Sequence, residues 1–398
     1  MNDDATAPTP PSTRWLEVRF LGSGGTYFRI WIVNLLLMVV TLGFYYPWAR
    51  VRKLQFFAAN TEIDGYPMHF HGVPSRMFGG FAIALAAFIL YTLAQNLHPL
   101  LSLLGFILFG LVWPWLLRAA MRFRLGNTSW RGIRLAFTGR SVDAYRAVAV
   151  PLLALAGVAL VVAIIAPFVM PADMPDDLMQ DRWLAGATAG VSIASMLLVP
   201  LAPYIHYRVV RYQHEHLAFA SERSRFEAGP GSFYLIYLVA AGAAMLAIGA
   251  LVLAGFGVAA GKSFEDHDTL AALEVIGSIA VMALILFLVV GWHLLRSLIE
   301  AWLFNLTWSN TRSQHLLGDA RLSVAKLFFV RLTNGILIAL TLGLFTPFAE
   351  VRLARLKRSA LQIESHVPVE KLVDDAERGR LSAASDAAAD LFDLDIGL

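Results

Sequence analysis

Six stretches of this chain are apolar for about 20 residues and hold almost no charge. They are Met77–Leu97, Leu100–Leu117, Ala147–Met170, Leu184–Tyr207, Phe233–Ala260 and Val275–Leu298, with Arg296 the one charge near an end. A bilayer's hydrocarbon core is about 30 Å thick, and about 20 helical residues cross it. Inside it the backbone has no water to bond, so a spanning helix must satisfy its own polar groups. The runs therefore predict an all-α, polytopic helical membrane protein with six firm transmembrane helices. Composition points the same way: 58% of residues are hydrophobic, 15% are charged, and mean hydropathy is +0.61. An ordinary soluble domain carries roughly 25% charged residues. A soluble enzyme and a disordered chain are excluded. The chain has no cysteine, which removes thiol catalysis, disulfides and Cys-ligated metals.

Loop charge predicts the orientation. The connectors Pro47–Arg76, Arg118–Arg146, Arg208–Ser232 and His293–Lys326 together carry 19 Lys and Arg, and the alternate connectors Asn96–Pro99, Pro171–Trp183 and Gly261–Leu273 carry 2. Cytoplasmic loops are the basic ones in helical membrane proteins, so the four basic connectors are expected on the cytoplasmic side. The same rule accounts for the net charge of +3 without nucleic acid, and no nucleic-acid partner is expected. Met1–Thr13 is polar, with Pro8, Pro10 and Pro11, and shows no apolar run ending in a cleavage site, so no removable signal peptide is expected. The organisation predicted is a polar segment over 1–27, a membrane domain over 28–365 and an acidic cytoplasmic tail over 366–398. Its acids, from Glu370 to Asp395, are expected to dock on the basic loops.

Two further apolar runs, Ile30–Tyr46 and Leu327–Phe345, are short and are copies of each other. Phe28, Asn34, Thr41, Leu42, Gly43, Pro47, Ala49, Val51 and Arg52 recur 300 positions later as Phe328, Asn334, Thr341, Leu342, Gly343, Pro347, Ala349, Val351 and Arg352. A fainter echo at offset 67 pairs Pro47-Trp48 with Pro114-Trp115, Asn60-Thr61 with Asn127-Thr128, and Gly65, Phe70 and Gly72 with Gly132, Phe137 and Gly139. Asn310-Thr311 is a weaker third copy. Copies of one unit are thus expected near 28–72, 100–139 and 328–365. The outer runs either cross the membrane or re-enter it.

Residue types assign roles within the unit. Gly43 with Pro47, and Gly343 with Pro347, are read as ending an apolar helix, as is Pro114. Trp48, Trp115 and Phe348 suit the headgroup level. Arg50, Arg52, Lys53, Arg118, Arg122, Arg352 and Arg355 are candidate lipid-phosphate contacts. Asn34, Thr41, Asn334 and Thr341 are the polar groups of the repeated runs; they either pack helices by hydrogen bonds or line a polar path. Asp64-Gly65 signals a small cytoplasmic hairpin, and Ser129–Thr138 is its counterpart.

With these residues in view the chain resembles the YjgN-type family of bacterial inner-membrane proteins, a family of unknown function. The resemblance runs from Phe28-Arg29-Ile30-Trp31 through Pro47-Trp48-Ala49-Arg50-Val51-Arg52 and Asn127-Thr128-Ser129-Trp130-Arg131-Gly132. It continues through Thr307-Trp308-Ser309-Asn310-Thr311 to the tail Asp390–Leu398. It implies a multi-pass protein of the bacterial inner membrane and brings no activity or substrate. Phe348 and Glu350 depart from the first copy's Trp48 and Arg50.

Catalytic chemistry finds little footing. Gly261-Lys262-Ser263 imitates the end of a phosphate loop, but position 256 is Phe256. His214-Glu215-His216 lacks the spacing of a zinc helix, which would need His at position 218, here Ala218. No cofactor or metal is expected, and the chain is not expected to be an enzyme. Gly186-x-x-x-Gly190 and Gly257-x-x-x-Gly261 serve packing within the chain or a homo-oligomer. Function is expected to be that of a transporter or channel-like protein for a small or amphipathic solute. The alternative is a non-catalytic scaffold whose partners are anionic membrane lipids.

Overall fold

A computed structural model describes residues 13–97, 99–169, 179–260 and 267–378. Five times in these residues a strand leads into an outgoing helix, a returning helix follows, and a further strand comes next. The first passage is β1 (Arg14–Phe20), α1 (Gly24–Val40), α2 (Tyr46–Ala59) and β2 (Thr61–Ile63). The second is β3 (Tyr66–Phe70), α3 (Pro74–Leu97), α4 (Pro99–Gly126) and β4 (Thr128–Trp130). The third is β5 (Ile133–Phe137), α5 (Ser141–Val169), α6 (Met179–Glu215) and β6 (Leu217–Phe219). The fourth opens on a strand broken at Ser224 into β7 (Glu222–Arg223) and β8 (Arg225–Phe226), then α7 (Pro230–Ala260), α8 (His267–Ser309) and β9 (Thr311–Arg312). The fifth is β10 (Leu316–Ala320), α9 (Val324–Leu340), α10 (Thr346–Ser359) and β11 (Leu361–Ser365).

Local chemistry fixes each corner. Where strand turns into helix, the rings of Phe20, Phe70 and Phe137 lie over the backbone of Gly22, Gly72 and Gly139, so close that a Cβ there would come within 2.4–2.8 Å of the ring. The fourth corner is Phe226-x-Ala228 and the fifth inverts the sizes as Ala320-x-Leu322, all buried. The residue between donates its amide to the carbonyl that closes the returning helix. These bonds are Leu21 to Asn60 at 2.9 Å, His71 to Asn127 at 2.7 Å, Thr138 to His216 at 3.0 Å, Glu227 to Asn310 at 3.0 Å and Arg321 to Ala360 at 2.8 Å. At three of those helix ends the Asn side chain donates to the carbonyl four residues back. That satisfies an acceptor which a helix terminus otherwise leaves open.

The strands form one antiparallel sheet in the order β7-β6-β5-β4-β3-β2-β1-β11-β10-β9-β8. Its two ends are the halves of one strand, so the sheet closes on itself through the covalent chain. Strands are shared lengthwise: Arg14–Glu17 of β1 pair with β11, and Val18–Phe20 pair with β2. Above the strands the helices close a second ring. Each packs on the next in order, and α10 packs on α1. The all-α expectation is therefore corrected: the chain is mostly helical, but its helices stand on a sheet of eleven strands. The hairpins at Asp64-Gly65 and Arg131-Gly132 are present as β2–β3 and β4–β5, built into that ring rather than free.

The ring's interior is apolar. Leu16, Trp130, Ile133 and Phe219 meet there, with Ile63, Met68, Leu316 and Ile363 around them. A helix over 369–378 closes this core by burying Val369 and Leu372, with Val373 and Ala376 beside them. Its positions 369, 372, 373 and 376 follow the spacing of one helical face. The start of the tail thus docks chiefly by apolar contact, and the Arg131–Glu370 ion pair at 2.9 Å is its one charge contact to the sheet among the described residues. The segment 1–27 also holds structure that a polar reading does not anticipate, because β1 lies within it.

Four described helices are long and apolar enough to cross a membrane: Ser141–Ala166, Thr188–Glu215, Pro230–Val252 and Leu286–Ser309. Six were expected; the runs Met77–Leu97 and Leu100–Leu117 lie in α3 and α4, of which Met77–Ala86 counts as a shorter apolar helix. The outer runs Ile30–Tyr46 and Leu327–Phe345 are not single rods. The chain goes out along α1 and returns to the sheet along α2, and likewise along α9 and α10. Pro47 and Pro347 therefore begin α2 and α10 rather than ending a helix, since the first turn needs no proline amide. Pro114 lies inside α4 and is buried, so it is no stop either. Gly190 serves packing within the chain: a Cβ there would sit 2.3 Å from the Ala159 carbonyl of α5. Gly257–Gly261, Gly261-Lys262-Ser263 and the tail beyond 378 reach outside the described residues.

Where β7 meets β8, the buried Glu222 carboxylate accepts from the His315 amide at 3.0 Å and sits 2.7 Å from its ring Nδ1. Burial alone would raise the Glu222 carboxyl, but hydrogen bonds from Ser313 and His315 outweigh it and hold the group below its ordinary value. A depressed carboxyl adds stability that is whole above the unfolded value of about 4.5 and is lost as pH falls through the folded one. Thermal unfolding in detergent between pH 7 and pH 3 should show this acid limb, and Glu222→Gln should flatten it while lowering the midpoint at pH 7.

Candidate functional site

Near the sheet, the returning helices α4 and α10 end on basic groups. Arg124 is in the last turn of α4, and Lys357 and Arg358 are in the last turn of α10, where cations also complement the helix dipole. Arg124 is exposed, yet it lies within electrostatic reach of Arg50 on α2 and Arg358 on α10. Arg358 stacks over Phe20 and Phe57, 4.7 and 5.6 Å from their ring centres. Its guanidinium is pushed down to about 10, by burial first and by Arg124 second.

A pocket of about 680 Å³ lies between α6, α8 and α10. Trp292, Leu295, Ile299, Leu303 and Phe304 form its apolar wall, and Arg296, Glu300 and Lys357 its charged part. Glu300 holds two cations, Arg331 of α9 and Lys357, the latter at 2.5 Å. Arg331 is nine-tenths buried, and its Nη1 has no hydrogen-bond partner. Arg296 makes no hydrogen bond or ion pair among the described residues and faces the pocket one turn before Glu300. One acid thus pairs with two cations, and Arg296 stands beside it as a third. Burial first, and then Arg331, Arg296 and Arg358, push the Lys357 ammonium below its ordinary value. Uncompensated charge beside apolar walls is costly, so an anion would relieve this cluster. His206 and His214, which also line the pocket, are satisfied by Tyr237 at 2.8 Å and Thr311 at 3.0 Å.

The residues singled out from sequence lie elsewhere, in the two short hairpins. Asn34 and Asn334 are buried inside their own hairpins and face Arg52 at 3.5 Å and Arg352 at 2.7 Å. Neither lines the pocket. Thr41 and Thr341 cap the hairpin bends, accepting from the amides of Tyr45 and Phe345 at 3.0 and 2.9 Å. Gly43 and Gly343 follow with φ of +90° and +94°, a region that side chains avoid. Trp48 packs on Phe78 of the next hairpin, as Phe348 packs on Phe28; Trp115 is exposed. Of the candidate phosphate contacts, Arg118 bonds the Gly139 carbonyl at 2.9 Å and Arg355 that of Gly22 at 3.0 Å. Lys53 pairs with Glu350 at 2.7 Å, and Arg122 is exposed.

The comparisons with known proteins agree with this architecture's membrane character. The family described as "Bacterial protein of unknown function (DUF898)" matches residues 15–391. The chain belongs to that family. It is similar to proteins named "Inner membrane protein YjgN": 33% identical over 125 residues to that of Salmonella typhimurium strain LT2, 30% over 121 to that of Escherichia coli O157:H7, and 29% over 120 to that of Escherichia coli K12. Each match covers 30% of this chain and 30% of the relative, so the aligned part spans under a third of either. No solved structure matches. Inner-membrane relatives and apolar helices place this chain in the inner membrane.

The sequence pointed to Arg296 only as a charge near the end of a run, and gave Glu300, Arg331 and Lys357 no part in a site. The signal available was the i, i+4 spacing of Arg296 and Glu300 on one face of an otherwise apolar helix. Glu300→Gln removes the acid that two cations share. It should lower stability in detergent by about 3 kcal/mol, in the range for breaking a buried pair. Arg296→Gln should leave stability unchanged or raise it, and thermal melts of the two variants side by side check both.

Proposed function

We propose that the protein is a multi-pass, transporter-like or channel-like protein of the inner membrane that encloses a small or amphipathic solute. The observation that carries the reading is the closed ring of helices, with a pocket between α6, α8 and α10 that holds Arg296, Glu300 and Lys357. In this reading five copies of one unit build the ring. The hairpins α3–α4, α5–α6 and α7–α8 supply six spans, and the sheet lies on the cytoplasmic side with the basic connectors. The short hairpins re-enter: at 17 residues, α1 and α9 reach about 26 Å from the sheet. Their tips support this, because Val40, Leu42, Phe44, Leu340, Leu342 and Leu344 are all exposed apolar residues. No catalytic step is part of the reading.

One observation favours the second reading, a lipid-interacting scaffold. The sheet ring is filled by Leu16, Trp130, Ile133, Phe219 and Val369, so a solute passing through must displace that core or leave by another way.

The absence of native cysteine makes topology simple to test. An impermeant maleimide added to intact cells should modify Asp173→Cys and spare Gln314→Cys in the β9–β10 turn; the reverse pattern overturns the orientation. For transport, purified chain in vesicles should carry a small anionic dye or a headgroup-labelled lipid across the bilayer at least about tenfold faster than protein-free vesicles. Rates equal to protein-free vesicles for both probes would reject transport and leave the scaffold.

A further inference from the structure

The helices rise from the sheet to different heights. From the sheet outward, α8 has 43 residues and α6 has 37, or about 64 and 56 Å. The hairpins α1–α2 and α9–α10, neighbours in the ring through the α10–α1 contact, stop at about 26 Å. Above their tips the wall between α8 and α3 is therefore missing. Arg296 is 13 residues before the end of α8, about 20 Å from the sheet, just below that gap and at the end of an apolar run. The pocket then follows α8 as a stripe at Trp292, Leu295, Arg296, Ile299, Glu300 and Leu303, one face of the helix at i, i+3, i+4, i+7, i+8 and i+11.

We propose that this pocket binds the anionic headgroup of a membrane amphiphile, admitted sideways from the bilayer over the tips of the two short hairpins. The proposal deepens the reading of an amphipathic solute by naming its charge, its seat and its way in. Among the described residues Arg296 makes no hydrogen bond or ion pair, and Lys357 and Arg331 share one carboxylate, so the cluster has cationic capacity left for a phosphate or carboxylate. Charge-assisted bonds to such oxygens are the strong ones. Trp292, Leu295 and Ile299 cover hydrocarbon next to the charge, which a small hydrated anion would not use. Exposed leucines and valines on the hairpin tips suit the apolar layer that the short hairpins re-enter, where the gap opens to lipid.

The test is equilibrium binding by the purified full chain in neutral detergent, with headgroup-labelled phosphatidylglycerol and phosphatidylcholine as probes and inorganic phosphate as competitor. Phosphatidylglycerol should bind at least about tenfold tighter, a difference of about 1.4 kcal/mol. Arg296→Gln and Lys357→Gln should each erase most of that preference, and Ile299→Trp should weaken both lipids by filling the pocket. Arg321→Gln, on an exposed strand-end arginine paired with Asp319, should change nothing. Full displacement by millimolar phosphate would overturn the amphiphile and assign the site to a free anion; partial or no displacement supports the lipid. Equal binding of the two lipids, or a preference that survives Arg296→Gln in a chain that melts as wild type does, would overturn the site. Binding is read without flux, so its failure is separate from failure of transport.

Discussion

Everything in this structure depends on the pairing of the chain's first strand with its last. Arg14–Glu17 of β1 run antiparallel to Gln362–Ser365 of β11, and with that contact both the strand ring and the helix ring are complete. The strands are two to seven residues long, and a lone hairpin of that size is marginal at best in water. Closure gives every strand but the two short halves β7 and β8 a partner on each side, and those two are joined through the chain at Ser224. It also fixes the feet of the ring's helices, of which the four long apolar ones have no apolar drive to associate once they are in lipid. The five amide-to-carbonyl bonds at the helix feet set the same corner each time, so the splay of every hairpin follows from the ring beneath it.

That dependence explains what could be read from the residues. Long apolar runs report their own length, and Asp64-Gly65 reports its own turn, because both are local. The strand β1 was hidden because it carries Trp15, Glu17 and Arg19 on one side, with Leu16, Val18 and Phe20 buried on the other. In a run of only seven residues, that alternation does not stand out from a polar lead-in. The prolines were misread for a related reason. A proline after an apolar run looks like a stop, but Pro47 and Pro347 come after a bend that Thr41 and Thr341 have already capped. The site was the least legible part. Arg296, Glu300, Arg331 and Lys357 come from three helices that the ring brings together, and no spacing along the chain announces that.

The later corners were faint in sequence for a different reason. What the ring needs at each is a buried side chain over a backbone close to it, and an amide aimed at a helix end. Phe over Gly meets this three times, but Phe226 over Ala228 and the reversed Ala320 with Leu322 meet it as well. The geometry is shared where the letters are not, so a match by identity stops at the third unit.

Where the two short hairpins differ, the difference has a use. Position 50 is Arg in the first copy and the corresponding position 350 is Glu. In the ring α10 is packed on α1, and Glu350 accepts from the Tyr27 hydroxyl at 2.8 Å and pairs with Lys53 at 2.7 Å. An arginine at 350 would set like charges against Lys53 at the seam that joins the chain's beginning to its end. Phe348 in place of Trp48 serves the same seam: its ring lies against Gly24, where a Cβ would come within 2.4 Å. A bulkier indole there would have to displace the first turn of α1. The two copies are thus alike where each must bend, at Thr41-Leu42-Gly43 and Thr341-Leu342-Gly343, and unlike where one must fit against the other. The seam also lies between the two shortest hairpins of the ring, so the contact that closes the sheet belongs to the helices that rise least from it.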